Sequence, residues 1–550
     1  MKVLAPIIPA LFLFLQGNLT GVDFNREIRP LLASKCYACH GPDEEGRKAK
    51  LRLDVRKGAL KSEVIVPGKI EESEFHYRIR SDDPDEIMPP PESHATLTAK
   101  EKDLLDQWIK EGAKYEKHWA FVAPVPSTPP AKGSKWVRNG IDSFVLENLE
   151  EHDFKPSAQA EGYSLVRRLY LDLIGLPPTP EQADAFVVDK RPDAYERLVD
   201  DLLASPRYGE KWGREWLDLA RYADTNGYEK DRPRNIWPYR DWVIRALNND
   251  MPYDQFTIEQ LAGDLLPDAT LSQKVATGFH RAAPFNTESG TPKEARRTYQ
   301  VLDRVNVTGT VWLGATLECA QCHDHFYDPI SQKEYYQLVA FFNNSPDEMG
   351  KSIGAGRAAM TGPTVKVGEA STFVMQEMQK KRTSQIFLRG NYETKGEKVL
   401  PKVPGFLHAP EQEAPDNRLG LAQWLVDPEN PLTPRVTVNR WWTEIFGTGL
   451  VRTGADFGTQ GEAPSHPDLL DWLAVEFVEQ NWSMKRLLKQ IVLSSTYAQS
   501  PRISPANKTK DPQNLLLGRF PKLRLSAEAI RDNALCTGGL LTPALGGPPA

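Results

Sequence analysis

Through most of the chain apolar residues return every third or fourth position, the spacing of a helix with one buried face, and Gly, Pro and polar turns break the pattern at intervals. "LTAKEKDLLDQWIKEGA" (97–113) sets Leu104, Leu105, Trp108 and Ile109 on one face, with Thr98 and Glu101 placed as a capping box and Gly112 as the stop. Between 136 and 345 the same period runs through "GIDSFVLENLEEH", "YSLVRRLYLDLIGL", "AYERLVDDLLAS", "KWGREWLDLARYAD", "YRDWVIRALNND" and the long run that opens on "RRTYQVLDRV". From 346 to 408 it gives way to Gly-rich turns and short β-like runs, "GPTVKVGEASTFV" and "TSQIFLRGNY". It returns in "RLGLAQWLVDP", "SHPDLLDWLAVEFVEQ", "SMKRLLKQIVLSSTY" and "LSAEAIRDNALCTGGLL". The expected fold is mainly α: a small helical domain, a large helical domain, a small β-rich insertion and a second helical domain.

The chain has 550 residues, more than a single hydrophobic core accommodates, so several domains are expected. The first spans 21–115. A Pro-rich linker, 116–135, follows it, as "FVAPVPSTPPAKGS" indicates. The large helical domain takes 136–345, the insertion 346–408 and the C-terminal helical domain 409–550, whose last residues, "GGPPA", read as an interruption.

Composition narrows the partners. Lys and Arg number 68 against 74 Asp and Glu, a formal net charge of -6, so there is no basic excess to neutralise nucleic-acid phosphates. Only the N-terminus looks membrane-directed. In "MKVLAPIIPALFLFLQGNLTG" Lys2 precedes an apolar stretch from Val3 to Leu15, close to the roughly 7–15 residues of a signal-peptide core and short for a span. Residues 1–20 are therefore read as a signal peptide, and the protein as exported to the periplasm or cell surface. Four of the five cysteines stand in two C-x-x-C pairs, unlike a disulfide scaffold, and Cys536 reads as a small buried side chain.

Those pairs carry the candidate chemistry. "SKCYACHGPD" supplies Cys36, Cys39 and His40, and "LECAQCHDHFYDP" supplies Cys319, Cys322 and His323. Two thiols three apart with a histidine directly after the second are the pattern that holds a haem: the thiols add to its vinyl groups and the histidine reaches the iron. A bare zinc ion separates its ligands further, because adjacent Cys and His strain a small tetrahedral centre. Haem is thus favoured over zinc or a disulfide at the first cluster. Met88, in "DEIMPPPESH", is the candidate distal ligand, with His94 and His76 as runners-up. The second cluster fits haem too, but it adds His325 and Asp328, hard ligands suited to a non-haem metal, and a disulfide-stabilised turn is a further reading. No methionine loop follows it, and His280 in "GFHRAAPF" is the candidate sixth ligand there.

At these residues the chain resembles the planctomycete-type cytochrome c proteins, in which a cytochrome c module precedes two large domains of uncharacterised function. The resemblance rests on "FNREIRPLLASKCYACHGPDEEGRKAKLRLD" and "IMPPPESHATLTAKEKDLLDQWIKEGA" in the first module. In the body it rests on "RYADTNGYEKDRPR", "LGATLECAQCHDHFYDPISQKEYYQLVAFF" and "RVTVNRWWTEIFGTGLVRTGADFGTQGEAPSHPDLLDWLA". It implies an exported haem protein with Cys36, Cys39 and His40 as attachment and proximal residues and Met88 as distal ligand, and it implies no known reaction. The chain departs from the family at Phe326, where Lys is commoner after "CHDH", and its C-terminus stops before the family's expected remainder, which reads as a truncated last domain.

Two further constellations stand out. "RYADTNGYEKDRPRNIWPYRDW" gathers Asp224, Asn226, Glu229, Asp231, Arg240 and Asp241 among Trp237, Tyr239 and Trp242, the ingredients of a sugar cleft, although caps and core aromatics explain such segments more often. Asp456 and His466 could likewise face a cleft, with Ser465 as an N-cap. The function expected is haem-based electron transfer, with one haem c or two, to or from the helical body and an unidentified redox partner. The alternatives are a scaffold that binds a polysaccharide or a surface partner with the haem module as sensor, and a metal-dependent hydrolase at His323, His325 and Asp328.

Overall fold

The computed structural model describes residues 21–228, 231–286, 292–346, 349–352, 358–360, 362–410 and 414–549. The expected signal segment, 1–20, and Glu229 lie outside them. The fold is mainly α, with 22 α-helices and three two-stranded sheets among the described residues. None of the described helices is long and apolar enough to cross a membrane.

The chain forms two compact units, one running to Gly41 and then over Lys48–Glu116, the other taking Pro42–Arg47 with Lys117–Ala550. In the first, the Arg29–Lys35 and Ala99–Lys110 helices share a core with Phe24, Leu32, Trp108 and Ile109. Trp108 lies 5.2 Å from the Tyr115 ring, and its indole N–H donates to the Lys114 carbonyl at 2.9 Å, so the largest side chain is buried without an orphaned donor. Thr98 and Glu101 form the expected capping box at the start of the second helix.

In the second unit the helices expected as two domains share one hydrophobic core, which runs from Ala120 to Phe520. Trp216 sits near its middle, with ring centroids 4.9 Å from Phe256 and 5.9 Å from Trp312. Its N–H donates to Gln260 Oε1 at 2.7 Å, the atom that also accepts the Tyr239 hydroxyl. Buried charges tie early and late helices together. Asp142 accepts the Ser495 and Thr496 amides at 2.9 and 2.8 Å, and Arg418 forms a two-pronged pair with Asp264 at 2.9 and 2.7 Å.

The β insertion is small. Met349–Ser352 pairs with Ala358–Met360, Thr364–Val367 with Ala370–Phe373, and Ser384–Phe387 with Lys395–Val399, all antiparallel. The middle hairpin turns on Gly368, whose φ of +60° costs a glycine little and other residues more.

Candidate functional site

The Arg29–Lys35 helix ends at Cys36, and one further turn, Tyr37–His40, carries Cys39 and His40. The amides of Cys39 and His40 donate back to the Cys36 carbonyl at 3.1 and 2.8 Å, so all three side chains hang from a single turn. The loop beyond is pinned to it: the Lys48 amide donates to the Cys39 carbonyl at 2.7 Å and the Leu53 amide to the His40 carbonyl at 2.8 Å. All three side chains are half-buried, and neither thiol is in a disulfide. Burial pushes the Cys36 thiol up to about 12, with nearby Cys39 adding to the effect. Burial also holds His40 below its ordinary pKa, against the opposing effect of a hydrogen bond between its ring and the Lys48 backbone, and its Nδ1 is buried without a hydrogen-bond partner. Two unlinked thiols beside an imidazole on one turn are a donor set that fits haem c.

Met88 lies on the loop between the Glu74–Arg80 and Ala99–Lys110 helices, half-buried, its amide donating to the Arg78 carbonyl at 2.8 Å. The runners-up are placed differently. His76 Nδ1 is 2.7 Å from Asp106 Oδ1, a carboxylate that Arg80 also engages, so His76 is part of a hydrogen-bonded network with these two side chains. His94 is exposed, at φ +54°.

The second cluster has the same spacing in other surroundings. Cys319 opens a short turn, Glu318–Gln321, and both its thiol and that of Cys322 are exposed and unlinked. His323 Nδ1 lies 2.6 Å from the Asp324 carbonyl; since that oxygen can only accept, Nδ1 carries the proton and Nε2 the lone pair. The imidazole stacks on Phe326, centroids 4.2 Å apart and 28° between planes. Phe326 thus packs on the cluster's histidine.

His325 and Asp328, expected as extra metal ligands, are committed to the backbone. His325 Nδ1 accepts the Asp328 and Tyr327 amides at 2.9 and 3.3 Å, and the ring has a further hydrogen bond to the Thr316 backbone. Asp328 Oδ1 accepts the Thr459 amide at 2.7 Å, and a Cβ on Gly458 would lie 2.3 Å from Oδ2. Among the described residues no three His, Cys, Asp or Glu side chains converge as a metal site. Both residues shape a loop, because buried amides need acceptors. His280, the candidate sixth ligand, is 1% exposed, wedged beside Phe279 and Phe342 with neither ring nitrogen hydrogen-bonded.

The expected sugar cleft does not assemble from its aromatic rings, since Tyr239 and Trp242 are 0% and 2% exposed and belong to the core. Its polar groups serve local structure: Asp224 accepts the Tyr222 hydroxyl at 2.6 Å, Asp231 the Gly227 amide at 2.7 Å, and Arg240 pairs with Asp241 at 2.8 Å. Asn226 is buried with its Oδ1 unpartnered. A cavity of about 360 Å³ beside this loop presents other rings, Tyr228 and Tyr299, next to Gln300 and Asp303, which sequence periodicity could not bring together. His466 is buried and held down to about 4 by desolvation, and it, not Ser465, occupies the N-cap of the Pro467–Glu479 helix. Cys536, expected as buried, is half-exposed on the Ala527–Thr537 helix.

A helical protein whose front unit carries a Cys-x-x-Cys-His turn fits a cytochrome-like class. Three family models match in chain order: Planctomycete cytochrome C over residues 36–92, Protein of unknown function (DUF1549) over 140–347, and Protein of unknown function (DUF1553) over 417–550. The chain belongs to the planctomycete-type cytochrome c proteins, with the cytochrome module ahead of the two large domains. The first match suggests a haem-binding module with haem c, in an exported class of protein. No curated protein and no solved structure matches the chain.

Proposed function

We propose that this is an exported c-type cytochrome whose front unit carries one haem c and passes electrons to or from a redox partner. One observation carries the reading: Cys36, Cys39 and His40 hang from one turn, both thiols are unlinked, and His40 Nδ1 is buried without a partner. Haem c held there supplies a one-electron couple. Cys36 and Cys39 would anchor it, His40 would take the iron, and the Met88 thioether would be the distal ligand, a choice that sets a higher potential than a second imidazole. Tyr37 and Leu53, both buried, keep water from the turn that positions His40. Burial keeps His40 in the neutral form that ligation needs. If a second haem were attached, Cys319, Cys322 and His323 would hold it, with Nε2 of His323 facing away from the Asp324 carbonyl that Nδ1 meets.

The test is an alkaline pyridine haemochrome spectrum of the full chain, expressed with cytochrome maturation machinery, with haem counted per chain and peptides mapped by mass. The expected result is one haem, on the peptide holding Cys36 and Cys39. Two would add a relay in the helical body, and none would overturn the proposal.

A second reading, polysaccharide binding by the helical body, is favoured by the cavity that exposes Tyr228 (44%) and Tyr299 (59%) beside polar side chains. Oligosaccharide titration of the wild type and Tyr299→Ala tests it, and saccharide affinity unchanged in the variant would remove it.

A further inference from the structure

A cavity of about 410 Å³ opens between the Lys293–Thr308 helix, the Gln332–Phe342 helix and the segment that leads from Met378 into the Ser384–Phe387 strand. Arg297, Lys380, Lys381, Arg382 and Lys395 line it against a single carboxylate, Glu294. That is a local reversal of sign in a chain whose net charge is -6. Beneath the charges lies an apolar floor that includes Leu302, Val339 and Phe387.

The walls are already braced. Arg297 Nη1 donates to Asn343 Oδ1 at 2.6 Å, while its Nε and Nη2 donate to Glu294 at 3.0 and 2.7 Å. Asn343 Nδ2 in turn donates to Ser384 Oγ at 2.9 Å, which joins the two helices to the hairpin. Glu294 is thereby spent on Arg297, whose hydrogen bonds hold its carboxyl below the usual range. Lys380, Lys381 and Lys395 are exposed at the rim and form no ion pair among the described residues. Three ammonium groups at one opening repel each other, and an anion between them removes that repulsion.

We propose that this cavity binds a small organic oxyanion, its carboxylate, phosphate or sulfate group held by Lys380, Lys381 and Lys395 and its carbon body resting on Leu302, Val339 and Phe387. The rim selects the charge. The floor selects a ligand with an apolar body over a bare ion, which a fully hydrated inorganic anion would not use. None of the three lysines belongs to either cysteine cluster, and the proposal does not depend on haem at either.

Calorimetric titration of the full chain tests it, with phenyl phosphate and benzoate as ligands and inorganic phosphate and phenol as the separate halves. The expected result is that the two organic anions bind at least tenfold more tightly than either half, and that Lys380→Glu with Lys381→Glu, or Lys395→Glu alone, weakens them at least tenfold. These are exposed side chains, and unchanged thermal unfolding of each variant separates lost binding from lost folding. No binding by either organic anion, equal affinity for inorganic phosphate, or affinity unaltered by the charge reversals would each overturn the proposal.

Discussion

In Cys36–His40 the two thiols and the imidazole are half-buried on a helical turn, the loop beyond is pinned to that turn, and the histidine's Nδ1 meets no partner. In Cys319–His323 the thiols are exposed, the histidine's Nδ1 is satisfied by Asp324, and its ring is stacked on Phe326. The spacing is the same because it fixes only how side chains project from a turn. What they can do depends on the dielectric, the exposure and the hydrogen bonds around them. A covalently attached haem needs a water-poor cradle, and the first cluster is the more enclosed of the two.

The sharpest way to break this contrast is to delete each pair of thiols. Cys36→Ala with Cys39→Ala should take covalent haem from one per chain to none, whereas Cys319→Ala with Cys322→Ala should leave it at one, as counted by haemochrome and intact mass. Loss of haem from the second variant would mean that exposure does not separate the clusters.

Thiol reactivity in chain made without maturation machinery is the next largest effect. A thiol pushed up to about 12 holds almost no thiolate at pH 8, so Cys36 should alkylate at least about tenfold more slowly than the exposed Cys322, measured by peptide mass after timed labelling. Equal rates would erase the difference in burial.

The loop of the second cluster depends on Asp328, which is buried and accepts the Thr459 amide. Asp328→Ala leaves that amide unsatisfied and should cost about 1–3 kcal/mol in chemical denaturation, with no change in haem content. The loop of the first cluster is held by backbone bonds and by Asp43, whose carboxylate accepts the Glu45 and Gly46 amides, and the stability of the unit that carries it should follow pH. Folded His40 is held below its ordinary pKa, so the unfolded chain takes up the proton first. Stability is therefore intact above about pH 6.5 and falls as pH drops below it, in the apo chain. His40→Gln should flatten that slope, as read from thermal unfolding between pH 5 and 8.

Much of the fold was legible because most helices keep a polar face. The Ala99–Lys110 helix shows its period, its capping box and its stop in the letters alone. Thr433–Phe446 does not, since Val436, Val438, Trp441, Trp442, Ile445 and Phe446 are buried along with Thr437 and Asn439, and a helix enclosed on most sides has no alternation to read. Nothing in the local periodicity of the helices at 136–345 and 409–550 reveals that Asp142 in the first stretch accepts the amides of Ser495 and Thr496 in the second. The site divides in the same way. Spacing picked out the two clusters, but it could not say that backbone amides would consume His325, or that Tyr239 and Trp242 would enter the core. The run Lys380–Arg382 was visible as charge, while its union with Arg297 and Lys395 around one cavity exists only in the folded chain.

The smallest expected effect bears most directly on what makes the second cluster different. Phe326 covers one face of His323, and Phe326→Lys would replace that ring with a flexible, strongly hydrated side chain. The lost stacking should cost roughly 0.5–1 kcal/mol, because an aromatic pair at a half-exposed site contributes little beyond its buried area. The hydrogen bond from His323 Nδ1 to the Asp324 carbonyl is made within one residue and does not need Phe326, so the tautomer should hold and Nε2 should keep its lone pair. NMR of the His323 ring nitrogens measures this: the same tautomer with a small loss of stability means that Phe326 only packs. A switch of the proton to Nε2 would mean that the stacked ring, and not the backbone, orients the histidine, and the second cluster's readiness for a ligand would then depend on Phe326.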